Sequence, residues 1–446
     1  MKKTIDQIDL KNKKVIIRVD FNVPMEDGKI TSNTRITAAL PTIKKALKDG
    51  AKVILLSHLG RIKDKADLPE KSLKPVAEEL ERLLKIPVEF VPLPIGPKVA
   101  KAVKRLKAGE VLMLENTRWE DLNNKAESKN APYLAQFWAS LGDVFINDAF
   151  GTSHRAHASN VGIASYIKES ALGYLVQKEV EALSRAIDNP ALPAIAIIGG
   201  AKVSDKIKTI EHLIKNVDKL IIGGGMAFTF WKAQGFGVGK SLVENDQILL
   251  AQSLLKQYPN EIVLPVDAAL SDSFADTKPL FNPNNPLEIP ANLMGLDIGP
   301  KSIEVFVKHI QGAKTVIWNG PLGVTEFKNY ATGTQAIAKA IGALGPDAYT
   351  VVGGGDSVAA IQKLKLASQF SHISTGGGAC LAMLEGTILP GIEAIQNVGD
   401  EPREDTPSLD QTLELVNNSE TMLDVMNSVL KNKKPPKGER KIDKKK

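Results

Sequence analysis

Two lysines four residues apart follow a pair of glycines at the end of an apolar run. The run is Ala194–Ile198, and it continues as Gly199-Gly200-Ala201-Lys202-Val203-Ser204-Asp205-Lys206. The apolar part reads as a buried parallel strand and the polar part as the start of a helix. Glycine lets backbone approach a ligand closely, and the first N–H groups of a helix favour an anion. On a helix, Lys202 and Lys206 share one face, so both ammonium groups are predicted to meet that anion. An ordinary turn carrying two solvated lysines is the competing reading. The pattern recurs, however. Predicted strands at Lys219–Ile222, 262–266, 315–318, 350–352 and 372–374 run into Gly223-Gly224-Gly225, Asp267, Asn319-Gly320-Pro321-Leu322-Gly323, Gly353-Gly354-Gly355-Asp356-Ser357 and Thr375-Gly376-Gly377-Gly378. An edge paved with glycine offers N–H groups to phosphates and leaves a flat slot for a base. Asp356 at that edge suits Mg²⁺, which takes one or two carboxylates plus phosphate oxygens. An N-capping role for Asp356 is compatible with this. Lys202, Lys206 and Gly376-Gly377 would bring charge and N–H donors to a transferring phosphoryl group, chemistry that rests on positioning and electrostatics.

The first third carries a second constellation. Strands are predicted at 15–21, 52–57, 88–91, 111–114 and 144–147, with crossover helices such as 35–48 and 73–84. That rhythm describes a parallel sheet covered on both faces, whose ligands sit beyond the carboxyl ends of the strands. Just past those ends stand Asp20 and Asn22, His58 and Arg61, Arg118, then His154, Arg155 and His157, while Arg35 opens the first helix. Arginines and histidines at successive strand ends of one sheet should converge, the geometry for gripping phosphate and carboxylate. His154 and His157 lack the carboxylate or thiolate partners that a zinc site wants. A helical pattern over 168–187, closed by Asn189-Pro190, reads as the connection between two domains. The expected fold is therefore α/β: two doubly wound parallel-sheet domains joined by a hinge helix, with the ligand cleft between them. Gly239-Lys240-Ser241 is not a phosphate loop, because Gln234 stands where the motif needs its first glycine, and no G-x-G-x-x-G is present.

The elements that position these groups belong to a chain of 446 residues with a single cysteine, Cys380. That length exceeds one core, and one cysteine permits no internal disulfide framework. The N-terminal residues turn polar after Lys2 and Lys3, and no apolar run approaches the roughly 20 residues that span a bilayer. A cytoplasmic protein is expected. The net charge is +6. Nine Lys/Arg face Glu439 and Asp443 in residues 431–446, and nine Asp/Glu face Arg403 in 392–430. Residues 1–391 are thus basic in themselves, which attracts small anionic substrates. A nucleic-acid surface would want aromatics interleaved with the cations, and only 5% of residues are aromatic.

The motifs also carry a resemblance. Arg18-Val19-Asp20-Phe21-Asn22-Val23-Pro24, Ser57-His58-Leu59-Gly60-Arg61, Glu115-Asn116-Thr117-Arg118 and Asp148-Ala149-Phe150-Gly151-Thr152-Ser153-His154-Arg155-Ala156-His157-Ala158-Ser159 come first. Gly199 to Lys206, Trp318-Asn319-Gly320-Pro321-Leu322-Gly323, Gly353 to Ser357 and Ser374-Thr375-Gly376-Gly377-Gly378 follow. In this order they resemble the signature set of the phosphoglycerate kinases, over residues 1 to about 391. The resemblance implies the reaction 1,3-bisphosphoglycerate + ADP ⇌ 3-phosphoglycerate + ATP with Mg²⁺, in a monomer, after hinge closure. It implies that Asp20, Asn22, Arg35, His58, Arg61, Arg118, His154 and Arg155 hold the glycerate substrate, with Arg35 also neutralising the acyl-phosphate end. Gly200, Ala201, Lys202, Lys206, Gly224, Gly295, Leu296, Asn319, Pro321 and Glu326 resemble nucleotide-site positions, Glu326 at the ribose, as do Gly353, Gly354, Gly355, Asp356 and Ser357. Lys202 would follow the migrating phosphoryl group, Asp356 would carry the magnesium, and Gly376 and Gly377 would donate N–H groups to the transition state. Trp119, Thr325, Cys380, Ala382 and Met383 depart from the family's usual residues, and none of these is a charged or glycine functional position.

These readings set boundaries: 1–172 for the substrate domain, 173–378 for the nucleotide domain, 379–391 for a segment returning to the first, and 392–446 for an extension. Within the extension, 409–415 and 422–430 have helix-like apolar spacing, and the lysine-rich tail from 431 is expected to be disordered and solubilising. Docking of these helices on the body or a partner, and of the tail on an acidic surface such as RNA, are the alternatives. An inactive scaffold on the same fold is the competing class of function. Against it, Arg35, Lys202, Lys206 and Asp356 are all present.

Overall fold

The structure is a computed structural model and describes residues 1–404 and 406–417. The chain forms two compact units. Met1–Ala149, Arg155–Leu175 and the described residues from Pro390 make the first, and Phe150–His154 with Val176–Leu389 make the second.

The first unit holds β1 (Lys14–Val19), a small ribbon of β2 (Met25–Glu26) and β3 (Lys29–Ile30), then β4 (Lys52–Leu56), β5 (Val88–Val91), β6 (Val111–Leu114), β7 (Val144–Asp148) and β8 (Glu169–Leu172). Six of them form a sheet in the order β5-β6-β4-β1-β7-β8, with every pairing parallel. Strands buried on both faces are continuous apolar runs, and Val15 to Val19 are all buried. Ile36, Ala39 and Ile43 of the helix Thr34–Lys48, and Val76 and Leu80 of the helix Lys74–Leu84, share one core with Val15, Ile17 and Val53. After β1 the chain moves to β4 on one side, and after β7 to β8 on the other. The carboxyl ends of β1 and β7 therefore flank a topological switch point, where such sheets bind ligands.

The second unit holds β9 (Ala194–Ile198), β10 (Lys219–Ile222), β11 (Ile262–Val263), β12 (Ala268–Ser271), β13 (Met294–Ile298), β14 (Thr315–Asn319), β15 (Tyr349–Gly353) and β16 (His372–Ile373). Its parallel sheet has the order β11-β10-β9-β14-β15-β16, so β9 and β14 flank the switch point. Ile195, Ile197, Val316 and Trp318 pack there with Phe306 and Ile337. The antiparallel pair β12 and β13 had no sequence signal, because Ala268, Ala269, Ser271 and Gly295 are not β-branched or aromatic.

Two expectations need correcting. Residues 168–187 are not one helix: β8 pairs with β7, and only Tyr174–Ile187 is helical, joining the two units. The break is Gly173, where a Cβ would collide with Asp148 Oδ1, while that oxygen accepts the Leu175 N–H at 3.0 Å. The return to the first unit starts at Pro390, near the end of the expected 379–391 segment rather than at its beginning, because the helix Gly378–Leu384 packs on the helix Ile207–Leu213 in the second unit.

The returning chain is tied in by backbone and amide bonds. Asn147 Nδ2 donates to Gly391 O at 2.8 Å, Lys3 N to Gln396 O at 2.8 Å, and Ser170 N to Gln396 Oε1 at 2.9 Å. The helix expected at 409–415 is present as Leu409–Asn417 and packs on the helix Pro132–Ser140 of the first unit. Thr412 Oγ1 and Ser140 Oγ lie 2.8 Å apart there, and Thr412 and Val416 are buried. The expected helix 422–430 and the tail lie outside the described residues. Deleting residues 406–446 is expected to cost the first unit about 1–3 kcal/mol, lowering its Tm by about 2–8 °C. Deleting everything from Pro390 should cost at least twice as much. Scanning calorimetry checks both, and an unshifted melt after the shorter deletion would show that the docked helix contributes nothing.

Candidate active site

At the carboxyl end of β1 and β4 in the first unit, cations converge. Arg18, inside β1, is 1% exposed. Its Nη1 donates to Val19 O at 2.5 Å, its Nε to Ser159 Oγ at 2.8 Å, and its Nη2 lies 3.3 Å from His58 Nδ1. Arg35, in the first turn of its helix, donates to the Asp20 carboxylate. The loop after β4 is clasped from two sides: Gly60 N donates to Asn22 Oδ1 at 2.8 Å, and Arg118 Nη1 donates to Gly60 O at 3.0 Å. Burial drives the His58 imidazole well below its ordinary range, and Arg18, Arg118, His157 and Arg35 push the same way. Arg118 is lowered by burial, then by Arg155 and also by Arg61, with Asp121 and Glu127 opposing. Groups that depress one another like this form a positive field that attracts an anion. The structure brings together Asp20, Asn22, Arg35, His58, Arg61, Arg118 and Arg155. It puts His154 in the second unit, with Nε2 only 2.9 Å from where a Cβ on Gly378 would stand.

The turn that carries Arg118, Thr117–Leu122, also buries Glu120, neither of whose carboxyl oxygens has a hydrogen-bond partner among the described residues. Burial first, then Glu127 and Asp121, push this carboxyl up to about 8.

In the second unit the switch point is built backbone against backbone. A Cβ on Gly199 would collide with Pro321 O, and one on Gly320 with Gly199 O. Gly320 also has φ +95°, which favours glycine. A cavity of about 580 Å³ opens there, lined among others by Gly200, Ala201, Gly224, Gly295, Leu296, Pro321, Glu326 and Asp356. A Cβ on Gly295 would overlap the outer end of the Phe228 ring, so backbone and aromatic ring meet directly in the cavity wall. Lys206 Nζ donates to Asn319 Oδ1 at 2.6 Å. Burial lowers this lysine from its ordinary value, with Glu385 and Asp205 opposing. Ser357 Oγ accepts the Gly320 N–H at 2.9 Å, a Cβ on Gly353 would collide with Cys380 Sγ, and Gly354 leads into the helix Gly355–Lys363. The carboxylate of Asp356, exposed in its first turn, makes no hydrogen bond or ion pair among the described residues.

The helix predicted from Lys202 starts only at Ile207. Val203 turns inward and is fully buried, and the N–H and hydroxyl of Ser204 both donate to Glu244, so residues 201–206 form a turn. Lys202 is exposed while Lys206 is partly buried, and no helical face joins them.

Gly376 and Gly377 sit in the loop after β16, Gly377 at φ +46°. A Cβ on Gly376 would collide with the Phe150 ring. The loop is anchored by Glu179, 2% exposed on the helix Tyr174–Ile187, which accepts from Thr375 N and Thr375 Oγ1, each at 2.8 Å. His372 Nε2 lies 2.8 Å from its other oxygen. Glu179, Arg18 and Phe228 were missed as site residues. Arg18 stood in a quoted motif, yet its place inside a strand disguised it.

Comparison with known proteins fits this geometry. A sequence model of the family described as phosphoglycerate kinase matches residues 5–387. The chain belongs to the phosphoglycerate kinase family. A relative named phosphoglycerate kinase from Mesomycoplasma hyopneumoniae (strain 232) is 58% identical over 395 residues, covering 89% of this chain and 98% of the relative. One of the same name from Listeria innocua serovar 6a is 56% identical over 396 residues, 89% of this chain and 99% of that one. The solved structure of phosphoglycerate kinase from Coxiella burnetii aligns with TM-score 0.80 at 41% identity, covering 88% of this chain and 98% of that one. The two-sheet α/β fold and the phosphotransferase reading are borne out, and the inactive scaffold is not favoured.

Two outcomes follow from this geometry. Gly320→Ala should destabilise the second unit by about 2–5 kcal/mol, from a strained backbone plus a forced collision, and thermal melts with and without nucleotide read it. Because the folded Glu120 carboxyl holds a proton that an ordinary glutamate at 4.5 has released, stability should fall as pH rises from about 4.5 to about 8 and then level off. Glu120→Gln should remove a part of that fall on the order of 3–5 kcal/mol, and urea melts at the two pH values measure it. An unchanged pH slope would contradict the assignment.

Proposed function

We propose that the protein transfers the acyl phosphate of 1,3-bisphosphoglycerate to Mg-ADP, reversibly, giving 3-phosphoglycerate and ATP. The observation that carries this reading is the cluster of Arg18, Arg35, Arg61, Arg118 and Arg155 around His58 in a chain of this family. Asp20, Asn22, Arg35, His58, Arg61, Arg118, His154 and Arg155 hold the glycerate and its phosphate. Gly200, Ala201, Lys202, Lys206, Gly224, Gly295, Leu296, Asn319, Pro321 and Glu326, with residues 353–357, hold the nucleotide.

A terminal oxygen of the ADP β-phosphate attacks the acyl phosphorus, the bond from phosphorus to the carboxylate oxygen breaks, and the carboxylate leaves. No group on the protein is phosphorylated. The chain's own work is to hold both reactants, exclude water and neutralise charge. Arg35 offsets charge at the acyl end, Lys202 follows the phosphoryl group, and Gly376 and Gly377 donate N–H groups to it. Because the glycerate groups other than His154 belong to the first unit and the nucleotide groups to the second, turnover requires the units to close. Asp356 fits Mg²⁺: its carboxylate is exposed at the cavity, is committed to no other partner among the described residues, and stands beside the phosphate-binding glycines. The ion supplies electrostatic stabilisation of the phosphate oxygens. No helix among the described residues is long and apolar enough to cross a membrane. A monomer working in the cytoplasm on small-molecule substrates completes the reading, with residues 431–446 as the one candidate segment for contact with nucleic acid.

Arg35→Ala and Lys202→Ala should each lower kcat by about 10²–10³ in an assay with ATP, 3-phosphoglycerate and Mg²⁺, without unfolding the chain. Asp356→Ala should raise the Mg²⁺ concentration needed for half-maximal rate. A variant within threefold of the parent would remove that residue from the mechanism.

A further inference from the structure

Behind the cation cluster of the first unit lies a relay in which each donor and acceptor is fixed by chemistry. Glu127 is fully buried. Its Oε1 lies 2.5 Å from Ser159 Oγ, and its Oε2 accepts Ser159 N–H at 3.0 Å. Ser159 Oγ accepts from Arg18 Nε at 2.8 Å, so its own proton is free for Glu127. Arg18 has only donors, so at 3.3 Å its Nη2 donates to His58 Nδ1, which must present a lone pair. The proton of a neutral imidazole then resides on Nε2.

We propose that Glu127 is a positioning residue which, through Ser159 and Arg18, fixes His58 as the neutral Nε2–H tautomer, so that His58 gives the anionic substrate a hydrogen bond and not a charge. The alternative tautomer has a partner waiting: Asp20 Oδ1 lies 4.0 Å from His58 Nδ1 and would take a proton carried there. Arg18 occupies that nitrogen instead. The other groups facing His58 are Arg35, Arg118 and His157, all of which oppose a positive ring, as does its burial. His157 Nδ1 stands 3.8 Å from Glu127 Oε1, so the same carboxylate also faces the second ring. Glu127 is in turn raised by its burial and lowered by Arg18 and the two Ser159 bonds. The four arginines Arg35, Arg61, Arg118 and Arg155 with a neutral donor discriminate better than the same four with a fifth cation, since a hydrogen bond demands an acceptor in one direction.

The inference rests on the reading of this cluster as the 3-phosphoglycerate site, but its first test needs no substrate. The full chain, labelled with ¹⁵N-histidine, is followed by long-range ¹H–¹⁵N correlation from about pH 5.5 to 8.5, with the His58 signal assigned by its loss in His58→Gln. In the parent, Nε2 should carry the proton and the ring should not titrate. In Ser159→Ala the ring should titrate in that range or populate the Nδ1–H form, and KM for 3-phosphoglycerate should rise about 5- to 10-fold with kcat changed less. Glu127→Gln, which keeps size and an acceptor oxygen, should shift the same signals by less. A parent His58 that titrates near its ordinary midpoint, or carries its proton on Nδ1, overturns the proposal. So does a folded Ser159→Ala with an unchanged His58 spectrum; should that variant not fold, an unchanged spectrum in Glu127→Gln does the same. The expected tautomer in a parent that binds no 3-phosphoglycerate would instead overturn the substrate reading.

Discussion

Backbone can touch backbone only where no Cβ intervenes, and the second unit is arranged around that constraint. Where β9 and β14 end, the chain leaves in opposite directions, and Gly199, Gly320 and the Pro321 carbonyl meet at a separation no side chain allows. That crossing brings the loops after β9, β10 and β14 together at one edge of the cavity. It also holds the Gly320 N–H against Ser357, which couples the loop after β15 to the same point. The cavity, the lysine bonded to Asn319 and the exposed Asp356 all depend on this packing.

The first unit solves a different problem: how to keep like charges together. Arg18 is taken out of water inside a strand, at a desolvation cost that Glu127, Asp20 and three hydrogen bonds offset in part. Arg61 and Arg155 lie at the exposed side of the cluster, and Arg35 is held by Asp20. Rigid support keeps these buried charges in place, and an anion bound beside them would relieve their mutual repulsion.

Much of this was legible in the sequence because parallel strands buried on both faces are continuous apolar runs. Val88–Val91, Val111–Leu114, Ala194–Ile198 and Lys219–Ile222 were read with their observed bounds. Glycines and charged residues just past those runs marked the sites, since in this fold class ligands meet strand ends. Local pattern failed where tertiary contact decides. Residues 169–172 have helical spacing yet form an edge strand, because Gly173 must pass Asp148. Lys202 and Lys206 have helical spacing yet sit in a turn, because Val203 is buried and Ser204 is bound by Glu244. Glu179 lies roughly 200 residues from the loop it anchors, and nothing near it in sequence marks that contact.

The central claim is direct transfer between two bound small molecules. It is tested most directly by mixing the full chain with ATP labelled in its terminal phosphate, 3-phosphoglycerate and Mg²⁺, and quenching within and beyond one turnover. The account predicts labelled acyl phosphate only when all three are present, with no label on the protein at any time. Label retained on the protein, or no product although both ligands bind, would contradict it.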